Sequence, residues 1–115
     1  MYNAFDRFIA LKYGLVESVI INYIAALVGL NSRRKEHLYD GRYWMSFTKQ
    51  SFEYDLPFIP EKSIRNILYK LVNGHSKSSN KKLYDPVLIE GSYNEDENDK
   101  TCWYAFIDQN LFCSI

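Results

Sequence analysis

Pro57 and Pro60 fall within one stretch, FEYDLPFIPEKSIRNILYKLVNG, and together they oblige the chain to leave one helix and enter another. Pro57 pushes Leu56 out of the α region, which ends a short helix expected over Lys49 to Tyr54 with Thr48 as its N-cap. Pro60 opens the next helix, where its missing N–H is no loss. From there to Gly74, a glycine suited to the C-cap, the spacing is amphipathic. Ile64, Ile67, Leu68 and Leu71 share one face, and Lys62, Arg65, Asn66, Tyr69 and Asn73 gather on the other. Two helices joined by a tight turn, with Phe58 and Ile59 as its apolar anchor, make a helix-turn-helix plan.

The flanking segments extend that plan. Gly14 to Asn31 carries Val16, Val19, Ile20, Tyr23, Ile24 and Leu27 at helical spacing, with Gly29 and Asn31 as stop signals. Ile21, Ala25 and Val28 add a second apolar line. A helix apolar on two sides is sandwiched in its own domain, here by Met1 to Tyr13 with Phe5, Phe8, Ile9 and Leu11, or is shared with a second copy in a homodimer. Asn31 to Arg42 reads as a surface connection closing with the turn pair Asp40-Gly41, and Tyr43 to Phe47 as a short strand. After Gly74 comes a flexible polar loop, HSKSSNKK. Val87 to Glu90 and Thr101 to Ile107 then read as two strands enclosing GSYNEDENDK. The order is helix, strand, helix, turn, helix, hairpin. It predicts a single α+β domain over residues 1–115, mostly helical, a winged helix-turn-helix with a C-terminal β-hairpin wing.

Composition narrows the setting. Cys102 and Cys113 are the only cysteines of the 115 residues, and neither sits in a metal-ligand spacing, which points to a reducing, cytoplasmic environment without a disulfide framework or zinc site. The apolar run Leu15 to Leu30 is broken by Glu17, Ser18 and Asn22 and falls short of a membrane span, and no charged leader precedes it.

Little in the chain suggests chemistry. Its two histidines, His37 and His75, both fall in expected loops. There is no Gly-rich phosphate loop or HExxH. DENDK lacks the glycine and closing glutamate of an EF-hand loop. The expectation is a protein with no enzymatic activity, metal or cofactor.

Charge distribution is more informative. Fourteen basic residues balance fourteen acidic ones overall, yet Glu61 to Lys82 holds six Lys/Arg against one Glu, a local +5. That is the electrostatic footprint of a nucleic-acid surface. On the second helix of a helix-turn-helix, Arg65 and Asn66 suit guanine and adenine edges in the major groove. Lys62, Lys70 and Lys49 suit phosphates, as do Lys77, Lys81 and Lys82 in the following loop. Against this stands the hairpin tip: Glu95, Asp96, Glu97 and Asp99 with Lys100 give a local −3, which repels phosphate and suits a basic protein surface.

YGLVESVIINYI, DGRYWMSFTKQSFEYDLPFIPEKSIRNILYKLVNG, PVLIEG and DKTCWYAFID resemble the N-terminal winged-helix domain of phage and plasmid replication-initiation proteins of the DnaD-like, replisome-organiser kind. The resemblance spans about Leu11 to Asp108. It implies a winged helix that binds origin DNA or partner replication proteins, often as an oligomer, with Lys62, Ser63 and Arg65 facing DNA and Trp44, Ile64, Leu68, Trp103 and Tyr104 in the core. Pro60 departs from the family's usual Ser or Thr cap, and the loop Gly74 to Tyr84 is longer. The chain ends at Ile115 without the region through which such initiators recruit a helicase or its loader, so a small regulator, or a viral or plasmid protein that reuses this fold to bind another protein, is expected rather than a complete initiator. The resulting expectation is a double-stranded DNA-binding protein of a mobile element that uses Lys49, Lys62, Ser63, Arg65, Asn66, Tyr69 and Lys70. The alternative is a module that binds a host or replication protein through the acidic wing and aromatic side chains.

Overall fold

A computed structural model describes residues 11–99 and 101–109, without the side chains of residues 47 and 49. The chain is α+β: helices α1 (Leu15–Arg34), α2 (Lys49–Asp55) and α3 (Glu61–Asn73), and strands β1 (Leu38–Tyr39), β2 (Arg42–Tyr43), β3 (Met45–Phe47), β4 (Leu88–Gly91) and β5 (Cys102–Phe106). The described residues divide into two compact units, 11–45 with 108–109, and 46–107.

In the first unit, α1 runs past both expected stop signals. Gly29 is buried inside the helix, a position that costs about 1 kcal/mol relative to alanine and is outweighed by the apolar burial around it. Asn31 does not cap; its amide donates to the carbonyl of Trp44 at 2.8 Å. The helix ends where Lys35 adopts a left-handed conformation, φ 57°, and the N–H of Glu36 reaches back to the carbonyl of Asn31 at 2.9 Å. Ile21, Ala25 and Val28, the line suited to a dimer seam, are buried within the chain at 0, 0 and 2% exposure. Of the segment expected to cover them, Met1 to Ala10 lies outside the described residues, Tyr13 is buried, and Leu11 is exposed. At 20 residues α1 reaches the length and apolarity of a membrane span, while Ile20, Ile21 and Ile24 are fully buried in protein.

The expected surface connection contains a small hairpin. β1 and β2 pair antiparallel, Leu38 with Tyr43 and Tyr39 with Arg42, around Asp40 at φ 53° and Gly41 at φ 77°. Two successive positive φ angles define the turn that an Asp-Gly pair favours between strands, so LYDGRY carried a hairpin signal in plain view. Trp44 divides the expected strand Tyr43 to Phe47; its indole N–H donates to the carbonyl of Tyr39 at 2.8 Å.

The second unit opens with β3, whose first residue lies at the boundary, followed by α2 and α3. Thr48 caps α2 as expected, its hydroxyl accepting from the N–H of Ser51 at 3.2 Å. Ile59 anchors the turn at 8% exposure, whereas Phe58 points to solvent at 70%. Pro60 serves as the N-cap of α3 and not as its first helical residue, with extended backbone and no side-chain cap bond. Ile64, Ile67, Leu68 and Leu71 are all buried. Gly74 closes the helix in left-handed conformation, φ 81°, its N–H on the carbonyl of Lys70 at 2.7 Å.

The three-stranded sheet has the order β3-β5-β4, and β4 and β5 run antiparallel from Leu88 opposite Phe106 to Gly91 opposite Trp103. Central β5 buries Trp103, Tyr104, Ala105 and Phe106 in succession, which is why it reads as an unbroken apolar run without alternation. α3 packs against α2 and β4. The N–H of Val87 donates to the carbonyl of Leu71 at 2.8 Å, tying the sheet to the end of the helix.

Candidate nucleic-acid interface and the adjoining groove

At 100° per residue α3 divides into three sectors. Ile64, Ile67, Leu68 and Leu71 form the core sector. Lys62, Asn66 and Lys70, with Ser63 beside them, form an outward sector one turn apart; Lys62 and Asn66 are exposed, Ser63 and Lys70 half-buried. Between the two, Glu61, Arg65, Tyr69 and Val72 line a groove shared with the hairpin. The polar face expected to be one stripe is therefore two, because Arg65 and Tyr69 lean toward the hairpin.

Their side chains are engaged locally. Arg65 Nη2 lies 2.7 Å from Glu61 Oε1, and Arg65 Nε donates to the same oxygen at 3.0 Å. Tyr69 meets the edge of His75 at 5.8 Å between ring centroids, and the Lys77 ammonium stands 5.3 Å from its ring centre. Asn73 donates to the carbonyl of Tyr69 at 3.0 Å.

The basic loop after α3 is folded back on the helix. The carbonyl of Gly74 accepts from the N–H groups of Leu83 and Tyr84, at 2.8 and 3.4 Å. Lys82 pairs with Asp85 at 2.6 Å, and Lys77, Lys81 and Lys82 are all exposed. Lys49 begins α2, and its side chain lies outside the described residues.

The hairpin tip is likewise built. Asn94 is its bridge: its amide donates to the carbonyls of Asp99 and Thr101, at 3.0 and 2.9 Å, and its oxygen accepts from the indole N–H of Trp103 at 2.8 Å. Two of the four acids proposed to meet a protein partner cap turns within the tip. Asp96 accepts from the N–H of Asn98, and Asp99 from both the N–H and the hydroxyl of Thr101. The bonds from Thr101 hold the Asp99 carboxyl below its usual pKa. Glu95, Asp96, Glu97 and Asp99 are all exposed.

The groove itself is a feature that residue spacing did not disclose. It is an open cavity of about 700 Å³ bounded by α2, α3 and the hairpin. Tyr104 and Cys102 face it from β5. Burial, and then the charge of Glu90, push the Tyr104 hydroxyl up from its ordinary pKa, and the same two causes raise the Cys102 thiol. The thiol is thus a poor nucleophile. Among the described residues no three His, Cys, Asp or Glu side chains converge as metal ligands.

No protein-family model, curated protein or solved structure matches this chain.

Proposed function

We propose that the protein binds double-stranded DNA through α3, as a winged helix-turn-helix module of a phage, plasmid or similar mobile element, acting in replication initiation or its regulation within the cytoplasm. The observation that carries this reading is the exposure of Lys62, Arg65 and Asn66 on α3, the helix that follows the α2–α3 turn and would take the recognition position in a helix-turn-helix. Lys62, Lys70 and the exposed lysines of the 75–82 loop supply phosphate contacts, and Arg65 and Asn66 read base edges. The hairpin after α3 and the DnaD-like resemblance support the same assignment. The role is binding and not catalysis.

The test is fluorescence anisotropy with random duplex DNA at two ionic strengths. Affinity falls as salt rises, with a logarithmic slope of about −0.9 per phosphate neutralised. Absence of binding at low salt overturns the reading.

A second reading, a module that binds a host or replication protein, is favoured by the exposed acids of the wing tip and by two aromatic side chains. Tyr54 and Phe58 are 87% and 70% exposed.

A further inference from the structure

We propose that the groove between α2, α3 and the hairpin is a docking site for a basic segment of a partner protein: a short stretch with an aliphatic or aromatic anchor flanked by Lys or Arg. The proposal goes beyond the DNA reading: the groove lies beside the outward sector Lys62, Asn66 and Lys70 and shares Arg65 and Lys77 with the residues assigned to DNA.

The floor of the groove is apolar and firm. Phe52, Ile59, Ile64, Leu68 and Tyr104 line it, each no more than 8% exposed, so it is presented by side chains already fixed in the core. A volume of about 700 Å³ falls in the range of sites that hold organic ligands, and its open mouth suits a chain segment that enters and leaves.

The rim sets the sign of the occupant. Glu53, Glu61, Glu90 and Asp99 line the groove against Arg65 and Lys77, a balance of −2 in a region whose sequence is otherwise basic. Both cations have local partners, Glu61 for Arg65 and the Tyr69 ring for Lys77. Phosphates are repelled by such a rim, which disfavours nucleic acid in the groove itself. Four carboxylates around an apolar floor complement a segment that is apolar in the middle and cationic at its flanks.

The experiment uses the full chain and a fluorescein-labelled peptide of Lys and Leu around a central Phe, compared with its Glu-for-Lys counterpart. Three variants are read: Glu53→Lys, Glu90→Lys, and a tip variant with Glu95→Gln, Asp96→Asn and Glu97→Gln. The Lys peptide binds the wild type, and each rim reversal weakens it about tenfold or more, as expected for close charge pairs at an interface. The tip variant binds as the wild type does. In a Cys113→Ser background the same peptide slows alkylation of Cys102, whose thiol lines the groove.

Equal binding of the Glu peptide, or loss of binding in the tip variant with the rim variants unaffected, overturns the proposal, as does an unchanged rate of Cys102 alkylation. Protection of Cys102 by duplex DNA would assign the groove to nucleic acid instead. Anisotropy with duplex alone, on the same proteins, reports on α3 separately, so failure of one reading is distinguishable from failure of the other.

Discussion

The Arg65 guanidinium is held by the carboxylate of Glu61, one helical turn earlier on α3, at 2.7 Å. The pair is 70% and 36% exposed on its two sides, so it contributes only about 0.3 to 0.5 kcal/mol. A bidentate contact to a guanine is worth about 1 to 3 kcal/mol of discrimination, more than this pair contributes, so on the proposed DNA reading Arg65 is expected to leave Glu61 for a duplex. Glu61→Gln is expected to raise duplex affinity severalfold by removing both the competitor and a charge that repels phosphate. Arg65→Ala is expected to cost about 1 to 3 kcal/mol at one base position, and Lys62→Ala to weaken all sequences alike and lower the salt slope by about one unit. Selection from random duplex pools, followed by salt titration, checks all three.

Gly74 and Gly41 provide a controlled comparison of backbone strain. Both have positive φ, but a Cβ at Gly74 would stand 2.5 Å from the carbonyl oxygen of Tyr84, and one at Gly41 would meet nothing within 4 Å. Gly41→Ala is expected to cost about 1 to 2 kcal/mol from conformation alone. Gly74→Ala should cost about 2 to 4 kcal/mol, because overpacking against the returning loop adds to the same strain. Urea denaturation of the two variants measures the difference; equal losses would contradict the close approach.

Asn94 is expected to hold the hairpin tip. Asn94→Ala removes the acceptor for the Trp103 indole at 2.8 Å and two donor bonds to the carbonyls of Asp99 and Thr101. Leaving a half-buried indole N–H without its partner costs about 1 to 3 kcal/mol. Asn94→Asp keeps the acceptor but sets carboxylate oxygen against those carbonyls, so it should recover only part of the loss. The indole proton resonance of Trp103 and faster amide exchange across residues 92–101 are the readouts.

Tyr104 predicts an alkaline limit to stability. Its hydroxyl pKa is raised above 10.0 by burial first and the Glu90 charge second, so the folded chain holds this proton more tightly than the unfolded chain does. The contribution is fully present below pH 10 and declines as pH rises above that value. Tyr104→Phe should flatten the decline in a series of denaturant midpoints taken across this range, and Glu90→Gln, by lowering the folded pKa, should make the decline smaller while leaving its onset near pH 10.

Local physics made most of the second unit legible from sequence. The prolines, the Thr48 cap, the Gly74 cap and the spacing of Ile64, Ile67, Leu68 and Leu71 are short-range constraints, and each acts where residue order places it. The hairpin pairing followed from its apolar strands, although the buried run Trp103 to Phe106 shows no alternation because β5 lies in the middle of the sheet. Asp40-Gly41 held an equally local signal for the β1–β2 hairpin, obscured by the charged residues around it.

What depended on contacts between distant residues was not readable. Whether α1 stopped at Gly29 turned on apolar burial and on Asn31 finding the Trp44 carbonyl, and neither is a property of those residues in isolation. Arg65 looked like part of one outward stripe, since helical periodicity says which side chains share a direction and nothing about what stands beside them. The groove exists because β5 brings Cys102 and Tyr104, and β4 brings Glu90, alongside a helix some thirty residues earlier in the chain. Sequence alone determined the local elements and the apolar face of α3, through short-range sterics and periodicity. Tertiary structure decided which polar side chains face outward and which line the groove, because that depends on where the β4–β5 hairpin lies.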